Sequence, residues 1–161
     1  MKRLALFAMI GAVLVALAMW WFSPVQVIKR RTETLFGTLT LKPGSGNAGR
    51  QMGTYSLNAL LASEVTLENP TLKEASGTFE RQEMESAYSW LCNQAKQTRF
   101  ELVKFHSVTV TGDRATVDLT LEGLVELPTY NPVDGKYDAT FDWVKEKDGW
   151  RLARASWKEA R

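Results

Sequence analysis

His106 is the only histidine of the 161-residue chain and Cys92 its only cysteine. An imidazole is the side chain best suited to general acid–base work near neutral pH. A single one, with a single thiol, supplies neither a two-histidine metal site nor a cysteine-based cluster nor an internal disulfide. No metal and no cofactor is expected on these grounds. His106 becomes a general base if its strand turns it into the interior. Otherwise it is half exposed or satisfied by a neighbouring backbone group. Asp118 is the carboxylate that would act beside it, and the two are the catalytic candidates. Cys92 lies between Leu91 and Asn93 on a segment of helical apolar spacing, which reads as a small buried hydrophobe, since an activated thiolate needs an electropositive setting.

Gly44-Ser45-Gly46-Asn47-Ala48-Gly49 spells G-x-G-x-x-G after the strand-like Thr38–Leu41, with Glu68 nineteen residues beyond Gly49, the spacing of a dinucleotide-binding fingerprint. That fingerprint works inside parallel β-α-β units. The chain beyond residue 99 offers hairpins instead, so an ordinary loop between helices is the better reading.

The carboxylates are sorted more clearly than any single residue. From 114 to 127, Ala115, Val117, Leu119 and Leu121 alternate with Thr116, Asp118, Thr120 and Glu122; from 135 to 146, Tyr137, Ala139, Phe141 and Trp143 alternate with Asp138, Thr140 and Asp142. One wall is apolar and aromatic, the other ionisable, and the apolar wall is expected to face inward. Tyr55, Tyr88, Phe141 and Trp143 are then either core or the lining of a pocket that takes an apolar small molecule by shape and stacking. Such a wall disfavours catalysis. The run Glu80, Arg81, Glu83, Glu85 reads as a solvated face that complements a helix dipole.

These residues need elements to place them. From Leu4 to Phe22 the chain has 19 residues without a charge; as a helix they span roughly 28 Å, close to the ~30 Å hydrocarbon core of a bilayer. Trp20 and Trp21 end the run where amphipathic rings prefer the headgroup region, and Lys2 and Arg3 precede it as in a secretory start. Residues 1–22 are read as a transmembrane anchor or uncleaved signal, although Ala16-Leu17-Ala18 has the small-x-small form of a processing site. Lys29, Arg30, Arg31 and Lys42 argue for the opposite orientation, and the n-region is given precedence; the domain after the anchor is expected outside the cytoplasm. The cluster Lys29-Arg30-Arg31 meets either lipid headgroups or plain water.

Residues 23–161 carry 18 basic and 18 acidic side chains, because two of the 20 Lys and Arg precede the anchor. A balanced charge speaks against nucleic acid as a partner. Ser23-Pro24 starts a helix, with the hydroxyl as cap, that runs to about 41 on the stripe Val25, Ile28, Thr32, Leu35, Leu39. A second amphipathic stretch holds Met52, Tyr55 and Leu60, residues 64–68 alternate as a short strand before Pro70, and a third helix carries Met84, Ala87, Tyr88, Leu91 and Ala95. Four strands follow at 99–111, 114–127, 135–146 and 149–158, joined by short connections that make antiparallel neighbours. The slipped phase between Leu102 and Phe105, and Gly123, each suggest a bulge. The fold class is α+β: an N-terminal transmembrane helix, then three helices on a curved, mostly antiparallel sheet.

The order of elements, the hairpin Val108-Thr109-Val110-Thr111-Gly112-Asp113-Arg114-Ala115-Thr116-Val117 and the ending Phe141–Leu152 resemble the nuclear transport factor 2-like superfamily over most of residues 24–158. The resemblance implies a cone-shaped domain, often dimeric, that hosts isomerases, dehydratases and cyclases as well as binding and assembly modules. With an anchor it is also similar to the periplasmic scaffold subunits of type IV secretion systems, which have a longer cytoplasmic tail. The expectation is a single-pass protein of the cell membrane whose extracytoplasmic domain is a non-catalytic binding or assembly module. Its partner would be a second copy or an envelope protein. The alternative is a small isomerase, lyase or hydrolase acting on an apolar molecule within the cone.

Overall fold

The computed structural model describes residues 2–69 and 76–160, without the side chains of residues 2–8, 47 and 48. The charges of Lys2 and Arg3, and Pro70, lie outside the described residues. In chain order the elements are α1 (Lys2–Trp21), α2 (Pro24–Leu39), α3 (Asn47–Asn58), β1 (Leu61–Glu68), β2 (Gly77–Glu80), α4 (Arg81–Gln94), β3 (Gln97–Thr111), β4 (Arg114–Glu126), β5 (Val133–Glu146) and β6 (Gly149–Glu159). The six strands form one sheet in the order β2-β1-β6-β5-β4-β3, and helices α2, α3 and α4 pack on one face of it.

Pro24 opens α2 because its fixed φ suits the first turn and its missing N–H costs nothing there. Ser23 does not cap it with its hydroxyl, contrary to expectation: its backbone carbonyl accepts from Val27 N–H instead. The helix ends at Leu39, two residues early. Thr98 competes for the chain there, its hydroxyl donating to Leu39 O at 2.6 Å while Leu41 pairs with it as an isolated antiparallel bridge. At α4 the charged run is a capping box: Glu80 and Glu83 each accept the other's backbone N–H.

The late strands pair as the alternation requires, β3 through β6 antiparallel, with Gly112 at φ 59° and Gly149 at φ 130° making the tight turns. Two features lack a local signal. β1 runs parallel to β6, and the four-residue β2 covers its other edge. β3 carries bulges between Leu102 and Lys104 and between Phe105 and Ser107, so Val103 and His106 are the extra residues. Gly123 is no bulge: it pairs in register with Phe100 and Gly135, and a Cβ there would press on the Phe100 ring at 3.4 Å.

The core lies between α2–α4 and the sheet. Val117 and Trp143 are 0% exposed, Phe36 meets Phe141 with ring centroids 5.9 Å apart, and Ile28, Leu57, Tyr88 and Cys92 close the layer from the helices. The indole N–H of Trp143 is buried without a hydrogen-bond partner, a cost that the ring's close packing must outweigh.

α1 stands apart from this core, and its large apolar side chains from Met9 onward, with Phe22 beyond its end, are exposed. Among the described residues no single helix is long and apolar enough to cross a membrane; Met9–Trp21 and α2, bent by 54° at the break between them, meet that requirement only as a pair, by length and composition.

Candidate functional site

The ionisable wall of the sheet, turned away from the helices, gathers the candidate chemistry. Register brings Thr116 opposite Asp142, Asp118 opposite Thr140, and Thr120 opposite Asp138 on β4 and β5. Each threonine donates to the carboxylate facing it, at 2.7 Å in all three pairs. The bulge in β3 then lets two successive residues reach this face: Ser107 donates to Asp118 at 2.7 Å, and His106 Nε2 lies 2.7 Å from the Thr120 hydroxyl.

The Thr120 hydroxyl has one proton, and Asp138 takes it. His106 Nε2 must therefore be the donor to Thr120, and the neutral imidazole is held as the Nε2–H tautomer with Nδ1 as its acceptor. His106, Thr120 and Asp138 thus form a relay across three strands. The two hydroxyls on Asp118, from Ser107 first and Thr140 second, hold its carboxyl below the ordinary range. At the other end of the wall Arg154 bonds Asp142 at 3.0 Å and both oxygens of Glu68, which lowers the Glu68 carboxyl and raises the guanidinium. An open depression of about 700 Å³ lies over this network, bordered by Glu68, His106, Asp118, Asp138, Trp157 and Lys158.

His106 and Asp118 therefore border one surface, but on the outside of the sheet; the interior position that would make His106 an enclosed base is not the one it takes. The pocket candidates separate. Tyr88, Phe141 and Trp143 meet in the closed core, while Tyr55 is 83% exposed on α3. Helix α3 buries Leu57, which is two residues, and so about 200°, from Tyr55. Tyr88 donates its hydroxyl to Thr38 O, and burial foremost, with Cys92 beside it, raises the phenol above its usual value. Cys92 is 3% exposed, a small hydrophobe as read. Trp20 and Trp21 are exposed at the end of α1.

Gly44–Gly46 ends the connection between α2 and α3 and Asn47–Gly49 begins α3; among the described residues no parallel strand-helix-strand crossover surrounds them, and the Glu68 carboxylate is engaged by Arg154. The side chains of Asn47 and Ala48 lie outside the described residues. Among the described residues no three His, Cys, Asp or Glu side chains converge as a metal site would need. Lys29, Arg30 and Arg31 each have a partner within the chain: Lys29 Nζ lies 5.4 Å from the Phe105 ring centroid, Arg30 bonds the Trp21 carbonyl, and Arg31 reaches Ala59 O at 3.4 Å. The Thr120 relay went unread in the sequence, although the alternation of Thr and Asp at facing positions of adjacent strands was there to find it.

No protein-family model and no curated protein matches the sequence. Solved structures do. An NTF2-like protein from Cytophaga hutchinsonii superposes with a TM-score of 0.65 at 15% identity, covering 86% of this chain and 100% of that one. An NTF2-like family protein from Streptomyces avermitilis, provisionally named a dehydratase, gives 0.62 at 19% identity over 85% and 96% of the two chains. The CaMKII hub of S. rosetta gives 0.62 at 17% identity over 86% and 98%. Enzymatic names and a hub stand side by side among these likenesses, so they speak to architecture and leave the chemistry to the residues. Among the described residues, four helices and a six-stranded mixed sheet of this order give the chain the nuclear transport factor 2-like fold.

Proposed function

We propose that the protein is a binding or assembly module, held at the cell membrane by its N-terminal segment with the domain outside the cytoplasm. One observation carries the non-catalytic reading. The wall that would line a reaction chamber inside the cone is filled by Val117, Leu119, Phe141 and Trp143 packed against the helices, which leaves the sheet's polar outer face as the surface for a partner. One of the similar structures above is named a hub, and that likeness supports the same reading. The exposed apolar side chains of α1 with Trp20 and Trp21 at its end support the membrane segment, since a solvated helix of that composition would expose a large continuous apolar surface.

The test is copurification from detergent-solubilised membranes with the full-length chain as bait. A stoichiometric second copy or envelope protein is the expected result, and a chain recovered alone and monomeric refutes the assembly role. A reporter active only in the cytoplasm, fused at the C-terminus, should stay silent; activity would reverse the orientation.

A second reading rests on the His106–Thr120–Asp138 relay, which holds an imidazole in one tautomer beside an open depression. It makes the protein a small isomerase, lyase or hydrolase whose base works on the outer face. The variants H106A and D118A decide between the two. A scaffold tolerates both, whereas loss of the cellular phenotype with the fold retained favours the enzyme. A carrier role for an apolar small molecule would show as ligand retained by the purified domain in native mass spectrometry.

A further inference from the structure

We propose that Arg30 is a positioning residue that locks the joint between α1 and the domain, so that the N-terminal helix is held at one angle to the sheet and does not swing on a free linker. The sequence forces the break. Ser23 precedes a proline, which disfavours helical ψ, and it takes φ −59°, ψ 141°, so α1 ends before it and α2 starts anew after it. A break of two residues, Phe22 and Ser23, would by itself be a hinge.

Four contacts close it. Trp21 is the last residue of α1, and its carbonyl is one of the orphan acceptors of a helix end. Arg30 Nη2, nearly two turns into α2, donates to that carbonyl at 2.8 Å, and the same guanidinium lies over the Trp21 ring with its carbon 4.5 Å from the centroid. The planar fork satisfies the helix end and the aromatic face together, which a lysine ammonium cannot do in one geometry. On the near side Phe22 and Ser23 donate their backbone N–H groups to Ala18 O and Trp20 O, which tightens the last turn of α1.

The other half of the joint is fixed to the body. Ile28 and Thr32 on α2 are fully buried, Lys29 lies over Phe105 of β3, and Arg31 reaches past Ala59 to the Gly149 turn. The three basic residues that looked available to lipid phosphates are thus taken up on three sides of the same joint.

The joint is the same whether or not α1 enters a bilayer. Spin labels at V15C on α1 and T109C on β3 report the angle as a distance in the full-length chain in detergent micelles, since both positions are exposed and the buried native Cys92 does not label. A single narrow distance distribution is expected. R30A and W21A should each lose that peak to a broad distribution, the double variant should broaden no further, and R30K should not restore it. Far-UV circular dichroism and the melting temperature of the domain serve as controls, and they should not move, because the buried contacts of α2 are untouched. A distribution as broad in the parent chain as in R30A, or as narrow in R30A as in the parent, overturns the proposal. Flotation of the same labelled chain with phosphatidylcholine vesicles tests the membrane segment separately: failure to float refutes that reading and leaves the joint to the distance measurement.

Discussion

Replacing Thr120 with valine removes one hydroxyl and keeps the shape of the side chain, and so isolates the relay on the outer face. Thr120 is 7% exposed, and it both donates to Asp138 and accepts from His106 at 2.7 Å. A hydrogen bond to a carboxylate contributes about 1.5–3 kcal/mol and one between neutral groups about 0.5–1.5 kcal/mol. His106 is exposed and Asp138 half-buried, so water replaces part of what valine cannot supply, and the net loss is expected near 2 kcal/mol. For a domain of this size each kcal/mol moves the melting temperature by about 3–4 °C, which puts the T120V transition roughly 6–8 °C below that of the parent. Nitrogen-15 spectra of the imidazole give an independent readout. The parent should show a protonated Nε2 and an unprotonated Nδ1 in the neutral form, and T120V should relax toward the mixture of tautomers of a free histidine. If the melting temperature and both nitrogen signals are the same in the two proteins, Thr120 does not link His106 to Asp138, and the enzymatic reading loses its one structural support.

Other consequences are open to direct measurement. A chain beginning at Ser23 should lose only the helical far-UV signal of α1 and keep the melting temperature of the full-length domain in detergent, because the buried core begins at Ile28; a truncated chain that fails to fold would make α1 part of the core. Glu68, Asp118, Glu126 and Asp148 all have carboxyl groups held below their ordinary range by hydrogen bonds from Arg154, from Ser107 and Thr140, from Gln97, and from Arg151. The unfolded chain then binds more protons than the folded one between the lowered values and about pH 4, so stability is fully present above that range and declines as the pH falls through it. Urea midpoints at pH 6 and pH 3 should differ in that sense, and equal midpoints would refute it. G149A should cost at least about 1 kcal/mol, because φ is 130° there and a Cβ would stand 2.7 Å from Arg31 Nη2; an unchanged thermal melt would mean that the turn and Arg31 both yield.

Period was the strongest signal in the chain. The strands from β3 onward were legible because apolar and polar residues alternate along runs bounded by the turns at Gly112 and Gly149 and the proline-containing loop 127–132, and such a run leaves one register that buries a whole wall. The slip before Phe105 was legible for the same reason, since it interrupts a period, and the helix start at Ser23-Pro24 was legible because a proline suits the first turn of a helix. β2 was not, since Gly77-Thr78-Phe79-Glu80 is too short to show one and forms only because β1 presents an open edge. The parallel pairing of β1 with β6 joins residues about ninety positions apart, and no local pattern encodes it.

The candidate site was legible by face and illegible by connection. Alternation says which residues share a wall, and it placed Asp118, Thr120, Asp138 and Asp142 together on the one turned away from the helices. It says nothing of which hydroxyl serves which carboxylate, because that depends on the register between β4 and β5 and on the bulge that lifts His106 beside Ser107. The bulge is what converts a surface histidine into a member of a network: without the extra residue, 106 would face the core with Val108 and Val110, and Thr120 would meet only Asp138. The same logic explains Tyr55. Its spacing from Met52 is helical, yet the side of α3 that is buried is set by Leu57 and the contact of Gly53 with Tyr88, and Tyr55 lies on the other. A wall that can be read from residue types alone therefore limits where chemistry is found, and the strand register decides what the chemistry is.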